Sequence, residues 1–331
     1  MAISKKTRTP SDPKWTRKRA ESAAEFHLSI IIPVYQGEGS IQRVVRHAVQ
    51  TLASSFKLDV VLVNDASPDG SQRVCAELVR EYPGQVRLID LAVNSGEHNA
   101  VLAGLRHCRG DLALIMDDDD QNAPEDVHTM WQAMREHDWD VTFGDYRQKQ
   151  HAWWRNVGSR FNDLVATWML GKPKDLYLCS FKLMNRFTIQ EVLKYQGPFP
   201  YLDGLVLRST RHVGSVPVTH RPRKEGSSSY TLTKLFRLWM AMFTNFSILP
   251  LRIASVAGFL LAGLALTGAA AMVAERILGG GDVPGWTSLF VGIIFFAGVQ
   301  LASLGLIGEY LGRTFLTMNG TPAYTVRRIL E

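Results

Sequence analysis

Cysteine is scarce and poorly placed for chemistry: Cys75, Cys108 and Cys179 are odd in number and sit at spacings that match no metal-ligand pattern. A disulfide-stapled scaffold and a zinc ribbon are thereby excluded, leaving reduced thiols in a core. Residues 1–25 contain no apolar run and so form no secretory signal; polar and rich in Lys and Arg, they read as a disordered basic arm. The dinucleotide and P-loop fingerprints are missing too. Gly37-Glu38-Gly39 continues into Ser40-Ile41-Gln42 without a third glycine, and no Walker lysine motif occurs. No basic stripe interleaved with aromatics appears in the soluble part, so the net charge of +6 points to an anionic membrane surface and not to nucleic acid.

Two long uncharged runs stand near the chain end. Residues 253–273 and 286–308 each reach the roughly 20 residues needed to cross the hydrocarbon core of a bilayer. Arg221, Arg223, Lys224, Lys234, Arg237 and Arg252 precede the first run, and Arg313, Arg327 and Arg328 follow the second, whereas the connecting loop carries Arg276 alone. By the positive-inside rule this predicts a two-helix transmembrane hairpin in the inner (cytoplasmic) membrane, with both termini cytoplasmic. Upstream, Leu232, Leu235, Phe236, Trp239, Phe243 and Phe246 share one helical face, as expected of an amphipathic helix in contact with membrane lipids. Gly258, Gly263, Gly298 and Gly305 would permit close helix contacts in a homo-oligomer.

Before these runs the pattern is strand, loop, helix, repeated. Strands are predicted over 28–34, 58–63, 86–91 and 112–116, with helices over 41–52 and 71–82 and a third, opened by residues 94–100 and running to about Cys108, between them. A short strand over 141–144 follows, and 202–207 and 213–218 complete the domain, with Asp203 in a Tyr-Leu-Asp-Gly turn. Such alternation implies right-handed βαβ units and a parallel sheet. The fourth strand ends in Asp117-Asp118-Asp119-Asp120-Gln121-Asn122. Open α/β sheets bind ligands at that carboxyl edge. Residues two apart on an extended segment point the same way, so Asp117 and Asp119 can converge on one hard cation, Mg2+ or Mn2+, with Gln121 adding a neutral oxygen. Asp65 ends the second strand beside this cluster, where a carboxylate can accept hydrogen bonds from a base edge or a ribose. Arg147 and Arg155, in a polar and aromatic connection, are suited to phosphate oxygens.

With these residues in hand, the chain resembles family 2 glycosyltransferases of the polyprenyl-phosphate type. The likeness runs from Leu28 to the C-terminus. It is carried by Ile32-Pro33-Val34-Tyr35, Val63-Asn64-Asp65-Ala66-Ser67-Pro68-Asp69-Gly70, Asn94-x-Gly96 with Ala100 and Gly104, Asp117-x-Asp119-x-Gln121, Arg223-x-x-Gly226-x-Ser228-x-Tyr230 and Gly308-Glu309-Tyr310-Leu311-Gly312-Arg313. Two positions depart from the pattern: Asp120 stands where leucine is usual, and Asn64 replaces a frequent aspartate.

The resemblance implies an α/β GT-A catalytic domain over 26–220, an acceptor loop and interfacial helix over 221–250, a transmembrane hairpin over 251–312 and a cytoplasmic tail over 313–331. It further implies an NDP-sugar donor, with UDP preferred to GDP, a Mg2+ or Mn2+ cofactor, a polyprenyl (undecaprenyl) phosphate acceptor and inversion at the anomeric carbon. By matching position, Pro33, Tyr35, Asp65 and Asp117 would bind nucleotide, and Asp117, Asp119 and Gln121 the metal diphosphate. Arg147 and Arg155 would lie near the phosphates, and Arg223, Ser228 and Tyr230 would meet the acceptor phosphate. Asp203 is a candidate base. A processive polysaccharide synthase is the enzymatic alternative, but its Gln-x-x-Arg-Trp signature is absent; the alternative outside catalysis is a silent sugar-nucleotide-binding scaffold.

Overall fold

Ile30, Ile31 and Ile32 are buried in succession, as in a strand covered on both faces. They belong to β1 (His27–Val34), which lies between β2 (Lys57–Asn64) and β4 (Leu112–Ile115) and is parallel to both. The computed structural model describes residues 26–146, 172–173, 176–219, 221, 249–278 and 285–331. These divide into two units, one drawn from Met1–Gln196, Leu202–Ser228 and Pro322–Glu331, the other from Gly197–Tyr201 and Ser229–Thr321.

The first unit is a sheet ordered β7-β5-β6-β4-β1-β2-β3-β8. Its remaining strands are β3 (Val86–Leu91), β5 (Val141–Asp145), β6 (Lys182–Asn185), β7 (Val213–Pro217) and β8 (Val326–Leu330). Helices α1 (Ile41–Leu52), α2 (Ser71–Glu81), α3 (Glu97–His107) and α4 (Val127–Glu136) follow the first four strands in turn. Helix α1 buries Ile41, Val44, Val45, Ala48, Val49 and Leu52, a stripe of period 3.6. Phe26 and Phe56 both meet Trp131 edge to face, at 5.9 and 6.0 Å between ring centroids, which closes the core at its amino end.

Three expectations change. The sheet is mixed, because β6 runs antiparallel to β4 and β5, and β8 antiparallel to β3. The 202–207 segment is helical, α6 (Leu202–Ser209) after α5 (Arg186–Val192), so Asp203 sits in a first helical turn and not in the expected Tyr-Leu-Asp-Gly turn. Five buried residues of its six, Leu202, Gly204, Leu205, Val206 and Leu207, form an apolar run too short for periodicity to distinguish strand from helix. The segment over 313–331, expected only as a tail, carries β8, which pairs with the edge of β3.

In the second unit, α7 (Leu249–Ile277) and α8 (Trp286–Met318) are 29 and 33 residues long. Among the described residues one segment, Phe295–Met318, is long and apolar enough to cross a membrane. Helix α8 continues through Gly308-Glu309-Tyr310-Leu311-Gly312-Arg313, so this motif is helical. There Arg313 pairs with Glu309 at 2.8 Å and stacks over the Phe199 ring at 4.9 Å. The expected basic arm and interfacial helix lie outside the described residues.

Helix α3 packs against β1 and β2 through Gly104. A Cβ there would lie 2.4 Å from Ile31 Cγ2 and 3.1 Å from Val63 Cγ2, so the helix can approach the sheet only without a side chain at that point. Gly104→Ala should destabilise the protein by about 1–3 kcal/mol, the usual cost of overpacking. Thermal unfolding in detergent measures this, with partial recovery expected in Gly104→Ala combined with Ile31→Ala; an unchanged midpoint would mean that the contact is loose.

Candidate active site

The parallel register aligns three strand ends. Val34 stands opposite Asn64, and Ile31 opposite Ile115. The Asp65 N–H donates to Val34 O at 3.0 Å, and the Met116 N–H donates to Ile31 O at 3.1 Å. Pro33 and Tyr35, Asp65 and Asp117 therefore leave the sheet along one edge, Tyr35 about half exposed and Asp65 buried.

The acid turn after β4 is held residue by residue. The Asp117 N–H donates to Asn122 Oδ1 at 2.7 Å, and Asn122 Nδ2 donates to the Tyr146 hydroxyl at 2.7 Å. Ser180 Oγ donates to Asp117 Oδ2 at 2.6 Å from the approach to β6. Asp118 Oδ2 accepts the Tyr35 N–H at 3.1 Å. A Cβ at Gly37 would fall 2.6 Å from that same oxygen, which is why glycine follows Tyr35-Gln36. The Gln121 N–H donates to Asp119 Oδ1 at 3.1 Å, so Gln121 orients the second acid through its backbone.

Arg221, beyond β7, closes the turn from outside. Its Nη2 donates to both Glu125 carboxylate oxygens, at 3.0 and 3.1 Å, its backbone N–H donates to Gln121 O at 3.1 Å, and its Nη1 lies 4.0 Å from Asp120 Oδ1. Asp120 adopts a positive φ of 63°. The extra acid therefore shares the Arg221 cation with Glu125.

Asp65 is engaged on both oxygens, by the N–H groups of Ser95 at 2.7 Å and Gly96 at 2.8 Å. It pins the loop between β3 and α3, a role that sequence reasoning did not assign it. Asp203 forms a buried ion pair with Lys182 Nζ. Lys182, Ser180, Asn122 and Arg221 were not anticipated as site residues; Lys182 alone left a signal, a single cation in the apolar stretch Phe181-Lys182-Leu183-Met184. Arg147, Arg155, Arg223, Ser228 and Tyr230 lie outside the described residues.

Comparison with known proteins gives this edge its context. The family model described as "Glycosyl transferase family 2" matches residues 29–201. The chain belongs to glycosyl transferase family 2. It is thus a glycosyltransferase, and its mixed sheet is the GT-A-like α/β core of that family. It is 29% identical over 312 residues to the undecaprenyl-phosphate 4-deoxy-4-formamido-L-arabinose transferase of Enterobacter sp. (strain 638), covering 92% of this chain and 94% of that one. To the transferase of the same name from Pseudomonas fluorescens (strain Pf0-1) it is 30% identical over 309 residues, covering 92% and 90%. Among solved structures, S. aureus TarS 1–349 in complex with UDP-GlcNAc aligns over 67% of this chain and 68% of that one, with TM-score 0.45 and 18% identity.

The charges of this glycosyltransferase edge are strained. Burial pushes the Asp117 carboxyl up to about 7, and the charges of Glu97 and Asp119 push the same way against the Ser180 hydroxyl. Asp117 keeps part of its surface open to solvent while its carboxyl lies deep among protein atoms, and the second property governs its charge. Asp118 is likewise pushed up to about 7, by burial first. Burial raises Asp65 too, against the two amides that it accepts.

A divalent cation fits this donor set. Its oxygens are hard, and crowded carboxylates that resist ionisation gain most from a positive partner. Among the described residues no three His, Cys, Asp or Glu side chains form a metal cage by themselves. One or two carboxylates with substrate phosphates completing the shell is the usual arrangement for Mg2+.

Between the ordinary 3.8 and about 7, folded Asp117 retains a proton that the unfolded chain has released, so its contribution to stability falls as pH rises through that window. In metal-free protein, Asp117→Asn should gain in unfolding midpoint relative to wild type as pH rises from about 4 to about 7, and saturating Mn2+ should narrow the gap. A gap independent of pH would show that this carboxyl titrates in its ordinary range.

Proposed function

We propose that the protein transfers one sugar, with inversion, from a nucleoside-diphosphate sugar to a polyprenyl phosphate such as undecaprenyl phosphate at the cytoplasmic membrane face. The observation that carries this reading is the length of the likeness. Relatives named for undecaprenyl-phosphate sugar transfer align over 92% of this chain, well beyond the family match that ends at residue 201. The aligned part therefore takes in apolar helices as well as the sheet. Those helices fit a lipid environment: Phe259, Leu264, Leu304 and Leu311 expose more than 60% of their surface, an arrangement that water disfavours.

The chemistry needs little from a base. A lipid monophosphate has a second pKa of about 6 and is largely dianionic near neutrality. One of its oxygens forms the new bond to the anomeric carbon from the face opposite the diphosphate, the old carbon–oxygen bond breaks, and its electron pair leaves with the nucleotide. No proton has to be removed. Asp203, tied to Lys182, is accordingly read as part of the cleft wall and not as a base. Asp117 and Asp119 are the residues that would hold Mg2+ or Mn2+, which when bound supplies positive charge to the diphosphate. Asp65 and the Asn94-Ser95-Gly96 loop that it pins form the nucleotide side, with Pro33 and Tyr35 beside them. UDP is the nucleotide proposed first. Arg147 and Arg155 are assigned to the phosphates, and Arg223, Ser228 and Tyr230 to the acceptor.

Purified protein with Mg2+ or Mn2+, offered a panel of NDP-sugars, should release NDP only when undecaprenyl phosphate is added. Asp119→Ala should lower that rate by about 100-fold or more without shifting the unfolding midpoint downward. Equal release without lipid would identify a hydrolase, and an undiminished rate in Asp119→Ala would remove the metal assignment.

A further inference from the structure

Strand β8 lies outside the family match, yet its charge reaches into the nucleotide side of the site. In the β3–β8 pairing Arg328 stands opposite Asp90, a buried carboxylate, and donates from Nε to Asp90 Oδ2 at 3.2 Å. Gln72 Nε2 donates to the same oxygen at 2.7 Å, and Asn64 Nδ2 donates to Asp90 Oδ1 at 2.8 Å. Asn64 is itself buried, directly across from Asp90 in the β2–β3 register, and immediately precedes Asp65. Its Oδ1 finds no protein partner, so the bond to Asp90 sets the orientation of this amide.

The backbone supplies a second path. The Ala92 N–H donates to Thr325 O at 2.8 Å, just ahead of β8. Three and four residues further on, the amides of Ser95 and Gly96 grip Asp65.

We propose that Arg328 is a positioning residue of the donor site, acting through Asp90 on Asn64 and the Asp65 loop, so that the C-terminal strand is a working part of nucleotide recognition. A strand that only covered an edge would need its backbone alone. Here a buried carboxylate bonded to two polar side chains, Asn64 and Gln72, takes its one cationic hydrogen-bond donor among the described residues from the tail. Without that cation Asp90 keeps neutral donors only, a poor match for a buried charge.

This inference rests on the nucleotide reading of the site, and the experiment separates the two. UDP and GDP are titrated with Mg2+ into full-length wild type, Arg328→Ala, Arg328→Lys and Arg109→Ala. The last cuts the exposed pair between Arg109 and Glu331, at 3.0 Å, which anchors the far end of the same strand. Arg328→Ala is expected to weaken nucleotide affinity roughly three- to tenfold and to raise the donor KM with little change in kcat. Arg328→Lys should recover most of the loss, and Arg109→Ala should bind as wild type. Wild type that binds neither nucleotide would overturn the nucleotide reading itself. Wild type that binds, together with equal affinity in Arg328→Ala or an equal loss in Arg109→Ala, would reduce β8 to an edge cover and overturn the inference.

Discussion

Carboxylates crowded at adjoining strand ends repel one another, and the sheet edge is built to hold them in spite of that repulsion. Asp65, Asp117, Asp118 and Asp119 leave β2 and β4 within one parallel register, where the dielectric is lower than in water and each like charge is felt strongly. Each acid is fixed by a donor from another part of the chain or from its own turn: Ser95 and Gly96 amides for Asp65, Ser180 for Asp117, the Tyr35 amide for Asp118, the Gln121 amide for Asp119. These bonds orient the acids without cancelling their charge. What remains, once Asp117 and Asp118 release the protons that burial holds to about pH 7, is a negative field that a positive partner would relieve.

The same field explains the placing of the cations. Lys182 is buried on the antiparallel strand β6, where it pairs with Asp203 and opposes the rise of Asp117 and Glu97. Arg221 stands on the solvent side and takes up Glu125 and Asp120, the two acids that do not belong to the paired set. An acidic turn that folded without these partners would expel its own charge into solvent. Pairing Asp203 with a buried ammonium leaves neither charge uncompensated inside the protein.

How much of this was legible in the sequence depends on whether the deciding interaction is local. Strands β1 to β4 and helices α1 to α3 were legible because apolar period and turn chemistry are written within a dozen residues, and the Asp117-x-Asp119 spacing follows from the two-residue period of extended chain. Helix α6 was not read as a helix because five apolar or small residues around Asp203 carry no period. Strands β6 and β8 were invisible, since Lys182 interrupts one and Arg327-Arg328 the other. Their strand character comes from pairing with β4 and β3, partners far away in sequence. Arg221 was counted as membrane-flanking charge, for its contact with Glu125 spans 96 residues.

The family match ends at residue 201, but the sheet does not. Strand β7, Arg221 and strand β8 all come later, and the last of them follows both apolar helices in the chain. Until residues 326–330 are made, β3 is an open edge with unpaired amides and carbonyls, and Asp90 lacks its arginine. An open edge invites pairing with another chain, and domains generally fold from the N-terminus as they are synthesised. The α/β core therefore reaches its final charge balance only after the apolar helices have been translated. That order ties completion of this sheet edge, and of the Asp90 contacts, to the synthesis of the apolar segment that precedes it.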